Sequence, residues 1–294
     1  MNGIHPHQAE LNNILRQQCI TPLFQPIVHL ASEQVLGYES LSRGPKQSPL
    51  HSANALFEAA EQCHRLPELE KICVHKAAAA WSTFGLNAQL FINLSPDMLL
   101  HSQHHQWELP QLMQRHHLSP HQVVFEISER TPALQLEELK SSIHHLQAQG
   151  FSIAIDDMGS GYSGLKLWSE LQPDFVKIDR YFIHNIDSNP IKLKFVRSLV
   201  QLSQQLGCQL IAEGVETRSE LLVIADLGIE LVQGYLFGRP QPTPLLDYRH
   251  HRLSAHTLRK LEVNTAATFS VQPMHFITRV LGEAPLIPTV CSPS

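Results

Sequence analysis

Eight short apolar runs, most of them β-branched, alternate with longer amphipathic stretches through most of this chain, and that alternation constrains the fold more than any other feature. The runs fall at 23–29, 34–41, 89–94, 122–128, 151–156, 174–178, 208–212 and 230–233. Between them lie stretches such as 53–64, 67–83, 135–149, 191–206 and 217–227, with apolar residues recurring at three and four. Leu139, Ile143 and Leu146 make one such stripe, and Phe195, Leu199, Leu202 and Leu206 make another. Alternating strands and helices specify a mainly parallel sheet with helical crossovers, and eight strands favour closure into a barrel. Only Ala31, Ser32 and Glu33 join the first two runs, which is too short for a crossover helix. That pair is expected to be antiparallel.

The runs also stop on oxygen. Glu39 lies in GYESLSR, Asn93 in LFINLSP, Glu126 and Glu129 in VVFEISER, and Asp156 and Asp157 in FSIAIDDMGSGYSG. Strands of such a barrel deliver their C-terminal residues to one mouth. There the sequence places Glu39, Asn93, Glu126, Asp156, Asp157, Lys177, Asp179, Glu213, Glu216 and Gln233. An oxygen donor set rich in carboxylates suits Mg²⁺ or Mn²⁺ and disfavours zinc. Neighbours on a regular strand point to opposite faces, so Asp156 and Asp157 share a cluster only where the strand ends and turns. The following GSGYSG, with Gly159 and Gly161, is expected to supply that turn as a mobile loop. Two uncompensated carboxylates there repel each other unless a cation lies between them. Lys177 is costly to bury alone, and the acidic cluster gives it a partner. Asp179 and Glu216 also have bland readings, the first as a helix N-cap and the second as a cap or an orienting group.

Composition narrows the alternatives. With 294 residues, 43% of them hydrophobic, the chain can bury a large core. A net charge of −5 gives no reason to expect DNA or an anionic membrane as partner. The five cysteines show no CxxC spacing, which argues against a disulfide framework or a zinc knuckle and for a reducing cytoplasm. The N-terminus does not read as a signal peptide, and no run approaches the length of a membrane span. Nineteen histidines, paired at 104–105, 116–117, 144–145 and 250–251, include no i,i+4 pair with an acidic neighbour and read as surface. Residues 1–20 are expected to form a capping helix and 21–245 the barrel. Residues 246–294 read as a helix (about 246–262) and a tail, or as the start of a further domain.

The ordered motifs FQPIV, YESLSR, FINLSP, FEISER, IDDMGSGYSGL, DFVKIDR, IAEGVET and QGYLFGRP resemble the EAL-domain cyclic-di-GMP phosphodiesterases over residues 20–245. The resemblance implies a modified (β/α)8 TIM barrel with an antiparallel first strand pair. It implies hydrolysis of one phosphodiester bond of cyclic di-GMP to linear pGpG, a step in bacterial second-messenger signalling. The alternative is a catalytically silent receptor or scaffold, since some relatives have lost catalysis. By motif, Glu39, Asn93, Glu126 and Asp156 look like ligands of a first Mg²⁺ or Mn²⁺ ion. Asp156 and Asp157, with Glu213, look like ligands of a second; Glu213 is alternatively the general base. Two such ions clamp a phosphodiester for in-line attack. Lys177 is implied to hold the attacking water and offset charge. Gln25, Arg43, Asp179 and Gln233 match substrate-binding positions. Glu129 matches the anchor of the glycine loop, with Glu216, Gly159 and Gly161 in support. Family members commonly pair barrel to barrel, so a homodimer is expected, and a further domain beginning in the tail after residue 245 would make this chain one module of a larger signalling protein. Two positions depart from its commoner pattern. Ser40 stands where alanine is usual, on the strand face opposite Glu39, and is expected to be tolerated. Met158 replaces phenylalanine at what reads as a loop position.

Overall fold

The computed structural model describes residues 7–104, 109–128, 136–159 and 164–245. Strands β1 (Thr21–His29), β2 (Gln34–Arg43), β3 (Gln89–Leu94) and β4 (Val123–Ser128) form one half of a closed barrel. The other half is β5 (Ser152–Met158), β6 (Phe175–Ile178), β7 (Gln209–Ala212) and β8 (Leu231–Gln233). β1 runs antiparallel to both of its neighbours, β2 and β8, and every other pair is parallel. The expected barrel with an antiparallel first pair is therefore what forms.

Ten helices accompany the strands among the described residues: α1 (Gln8–Gln17), α2 (Ala53–Gln62), α3 (Leu66–Ser82), α4 (Pro96–His104), α5 (Leu109–Arg115), α6 (Leu136–Ala148), α7 (Gly164–Leu171), α8 (Arg180–Ile183), α9 (Pro190–Leu206) and α10 (Arg218–Asp226). Their ends follow local chemistry. The Asn189 side chain accepts from Ile191 N and Lys192 N ahead of Pro190, and Gly207 closes α9 in the left-handed region. Thr217 and Glu220 form a reciprocal capping box on α10. The sequence reading passes over α4, α5, α7 and α8. All four are short, and α5 carries Pro110, so none shows a periodic stripe long enough to register. α1 packs through Leu11, Ile14 and Leu15 into a cluster with Leu56, Leu69 and Ile72 of α2 and α3. The expected helix at 246–262 lies outside the described residues.

Inside the barrel a layer of side chains sits directly under the mouth. Phe91, Val124, Ala154, Phe175, Ile211 and Leu231 fill it, with Ile27 from β1. Two residues further along each parallel strand come Asn93, Glu126, Asp156, Lys177, Glu213 and Gln233. Because side chains alternate across a strand, i and i+2 share a face, so each apolar residue lies beneath a polar one. On β1, which runs the other way, Ile27 is followed toward the mouth by Gln25. On β2 the position beneath Glu39 is Gly37. A Cβ there would lie 2.8 Å from the Phe91 ring, so glycine leaves that ring the space. The apolar layer thus sets the height at which every polar group stands.

Candidate metal-dependent active site

Lys177 stands at the centre of the mouth, completely buried. Its Nζ lies 2.7 Å from Glu213 Oε1, 2.8 Å from Glu126 Oε1, 2.9 Å from Asp156 Oδ1 and 3.3 Å from Glu39 Oε2. Each partner comes from a different strand or strand end, as the barrel closure requires. Burial alone would pull the lysine pKa down. The surrounding carboxylates, Asp156 and Glu126 foremost, outweigh it and hold the ammonium well above its ordinary range. Burial likewise pushes Glu126 and Glu213 well above the usual carboxylate range, against the lowering pull of Lys177.

One ammonium does not balance this set. The carboxyl oxygens of Glu39, Glu126 and Asp156 lie within 4.8 Å of one another, as do those of Asp156, Asp157 and Glu213. Five carboxylates are thus gathered in two groups that share Asp156. Glu126 Oε2 is buried and has no hydrogen-bond partner among the described residues. Leaving such an oxygen unpaired is costly. A donor set made wholly of oxygens, with an orphaned lone pair aimed into it, fits a hard divalent cation.

The adjacent aspartates reach the same side by a different route from the one expected. β5 does not stop at Asp156; it continues to Met158, and its register against β6 shifts between Ile155 and Met158. Asp157 takes a φ of 56°, in the left-handed region that costs a non-glycine residue strain. A bulge at Asp157, not the glycine loop after it, turns both side chains to the site. Met158 is accordingly a strand residue, 2% exposed, and not part of a loop. Gly159 follows with φ 101°, whereas Gly161 and Glu129 lie outside the described residues.

Besides the Lys177 ammonium, two side-chain amides hold Glu39. Asn93 Nδ2 donates to its Oε1 at 3.0 Å, and Gln233 Nε2 donates to its Oε2 at 2.7 Å. Gln233 Nε2 also reaches Gln25 Oε1 at 3.3 Å, and Gln25 Nε2 donates to the Gly238 carbonyl. The two glutamines expected to contact substrate are therefore buried and brace Glu39, although both also line a cavity of about 430 Å³ at the mouth. Asp179 lines that cavity too, and its carboxylate accepts from Tyr181 N as the N-cap of α8, the bland reading. Glu216 pairs with Arg180 at 3.0 Å over Gly214, while the cap of the following helix is Thr217 with Glu220. Arg43 donates to the Ser42 carbonyl and lines neither mouth cavity. A second cavity, about 540 Å³, shares Leu41 and Asp157 with the first and runs outward along Ser40, Phe57, Glu70, Asn93 and Ser95.

Ser40 does face away from Glu39 and is 7% exposed, but its Oγ is buried without a partner among the described residues. The sequence reading misses Glu70 altogether. It lies on α3, 6% exposed, and accepts from Ser95 N and Ser95 Oγ just past β3. Burial pushes its pKa up to about 7 despite these bonds. The described cysteines, 19, 63, 73 and 208, are all free. No helix among the described residues is long and apolar enough to cross a membrane.

Comparison with known proteins agrees with this architecture. The EAL domain family pattern matches residues 8–240. The probable cyclic di-GMP phosphodiesterase PdeA of Escherichia coli K12 is 37% identical over 151 residues, 51% of this chain and 21% of that protein. The solved standalone EAL protein of Vibrio cholerae O395, in its c-di-GMP-bound form, superposes with a TM-score of 0.71 at 30% identity, covering 78% of this chain and 95% of that one. Klebsiella pneumoniae BlrP1, as a calcium/cy-diGMP complex, gives a TM-score of 0.69 at 33% identity over 76% of this chain and 56% of that one. The chain spans about a fifth of PdeA's length and 34% identity over a similar share relates it to the E. coli cyclic di-GMP phosphodiesterase PdeF.

Proposed function

The chain belongs to the EAL domain family, and on that premise we propose that it is a metal-dependent phosphodiesterase that opens one phosphodiester bond of cyclic di-GMP to give linear pGpG. The observation that carries this reading is the pairing of two carboxylate groups, joined at Asp156, around a single buried ammonium. Glu39, Asn93, Glu126 and Asp156 would hold one Mg²⁺ or Mn²⁺ ion, and Asp156, Asp157 and Glu213 a second. Such a pair supplies Lewis-acid stabilisation of charge on the phosphodiester and a more acidic water.

The chain's own groups do the rest. Asn93 turns its amide nitrogen to Glu39, which leaves its carbonyl oxygen as the donor atom. Gln233 and Gln25 fix the Glu39 carboxylate in one orientation. Lys177 stays charged and opposes the negative charge that builds up at phosphorus. Glu213 is alternatively the general base that takes the water's proton. The water oxygen bonds to phosphorus, the P–O3′ bond breaks, and the 3′ oxygen leaves with a proton. The two cavities at the mouth, which share Leu41 and Asp157 in their walls, offer room for the halves of a cyclic dinucleotide. Gln25, Gln233 and Asp179 would meet it there; Arg43 has the charge for a phosphate but not the present position. A second copy of this chain and a fused regulatory domain are the further partners we propose.

Turnover of cyclic di-GMP by the purified chain in Mg²⁺ or Mn²⁺, followed by anion-exchange chromatography, tests the assignment. Metal-dependent pGpG that disappears with EDTA and in Glu39→Ala is expected. Tight binding without turnover in either metal would reduce the protein to a receptor.

A further inference from the structure

We propose that Glu70, a helix residue outside the barrel, is a positioning residue that sets Asn93 for metal binding; this rests on the reading of Asn93 as a ligand.

The sheet ladder between β3 and β4 pairs Asn93 with Glu126 and ends at Leu94 with Ile127. Ser95 is the first residue beyond it, and its N–H has no strand to bond. Glu70 meets that need from α3: Oε1 accepts Ser95 N at 3.1 Å and Oε2 accepts Ser95 Oγ at 2.6 Å. The same Oγ accepts from Met98 N at 3.2 Å, capping α4. One carboxylate therefore fixes both where β3 stops and where α4 starts. Asn93 lies two residues earlier, near the end of β3, and bonds Glu39. Slack at Ser95 would pass directly to it.

Glu70 forms no ion pair among the described residues, belongs to neither ligand group, and is buried at a cost that an apolar residue would avoid. Its pKa of about 7 leaves both protonation states populated near neutrality. Both hold Ser95: the ionised form accepts twice, and the neutral form accepts from the amide while donating to the hydroxyl. A glutamine would reproduce the second pattern. A leucine would reproduce neither.

Mn²⁺ binding without substrate, followed by the EPR signal of the free ion, separates the possibilities in wild type, Glu70→Gln, Glu70→Leu, Ser95→Ala and Asn93→Ala. Glu70→Leu is expected to weaken Mn²⁺ binding roughly 10-fold or more, the usual scale for a group that orients a ligand. Glu70→Gln should restore near-wild-type affinity, and Ser95→Ala should fall between. Wild-type affinity in Glu70→Leu overturns the inference, as does a loss in Glu70→Gln equal to that in Glu70→Leu. If Glu70→Leu does not fold, unchanged affinity in Ser95→Ala overturns it instead. Unchanged affinity in Asn93→Ala would remove the ligand reading underneath, a separate failure that this series distinguishes.

Discussion

Lys177 and Glu126 form an ion pair sealed from solvent on both sides, with Nζ 2.8 Å from Oε1 and neither side chain exposed. Removing one member of such a pair strands the other's charge. Lys177→Met should therefore destabilise the metal-free protein by about 3–5 kcal/mol, measured by chemical denaturation in EDTA. A variant as stable as wild type would mean that the carboxylates are not held ionised by the lysine.

Gln233 touches Glu39 Oε2 at 2.7 Å and reaches Gln25 with the same nitrogen. Gln233→Ala removes the amide that fixes Glu39 Oε2 and loosens the carboxylate. Mn²⁺ affinity should fall by roughly 10- to 100-fold, with kcat falling alongside. A change confined to KM would instead mark Gln233 as a substrate contact alone.

Ser40 buries a hydroxyl without a partner among the described residues. Ser40→Ala removes an unsatisfied group and almost no volume. Stability should rise by up to about 1 kcal/mol, while kcat and KM stay as they are. Destabilisation in thermal melts would show that the hydroxyl has a partner in solution.

Glu70 gives a pH signature. Its folded pKa is raised from 4.5 to about 7, so folding favours the protonated form. The stabilisation this brings is present in full below about pH 4.5 and is lost as pH rises through 7. Between pH 4.5 and 8 the wild type should lose up to about 3 kcal/mol that Glu70→Gln does not. Parallel urea-stability curves for the two proteins across that range would contradict it.

Much of this was open to a reader of the sequence, for reasons that can be named. The strands are legible because their apolar runs stop abruptly on oxygen-bearing residues, and the antiparallel β1–β2 pair because three residues cannot span a helical crossover. Glu39, Glu126, Asp156 and Lys177 follow from that geometry alone. The bulge at Asp157 does not, because a positive φ at an aspartate leaves no mark on composition. The bracing of Glu39 by Gln25 and Gln233 is not legible either, because only barrel closure and the antiparallel β1 bring the three side chains together. Glu70 is the hardest to see. In LPELEKICV it resembles any charged residue on a helix surface, and only the packing of α3 beside the end of β3 turns it inward.

The apolar layer beneath the polar ring has one more consequence. Phe91, Phe175 and their neighbours make the barrel a cup with a floor of packed apolar side chains. For a reaction of the proposed kind, a cyclic substrate arrives and a linear product departs through one doorway. Each blocks the other's passage, and the linear dinucleotide is expected to act as a competitive inhibitor of its own formation.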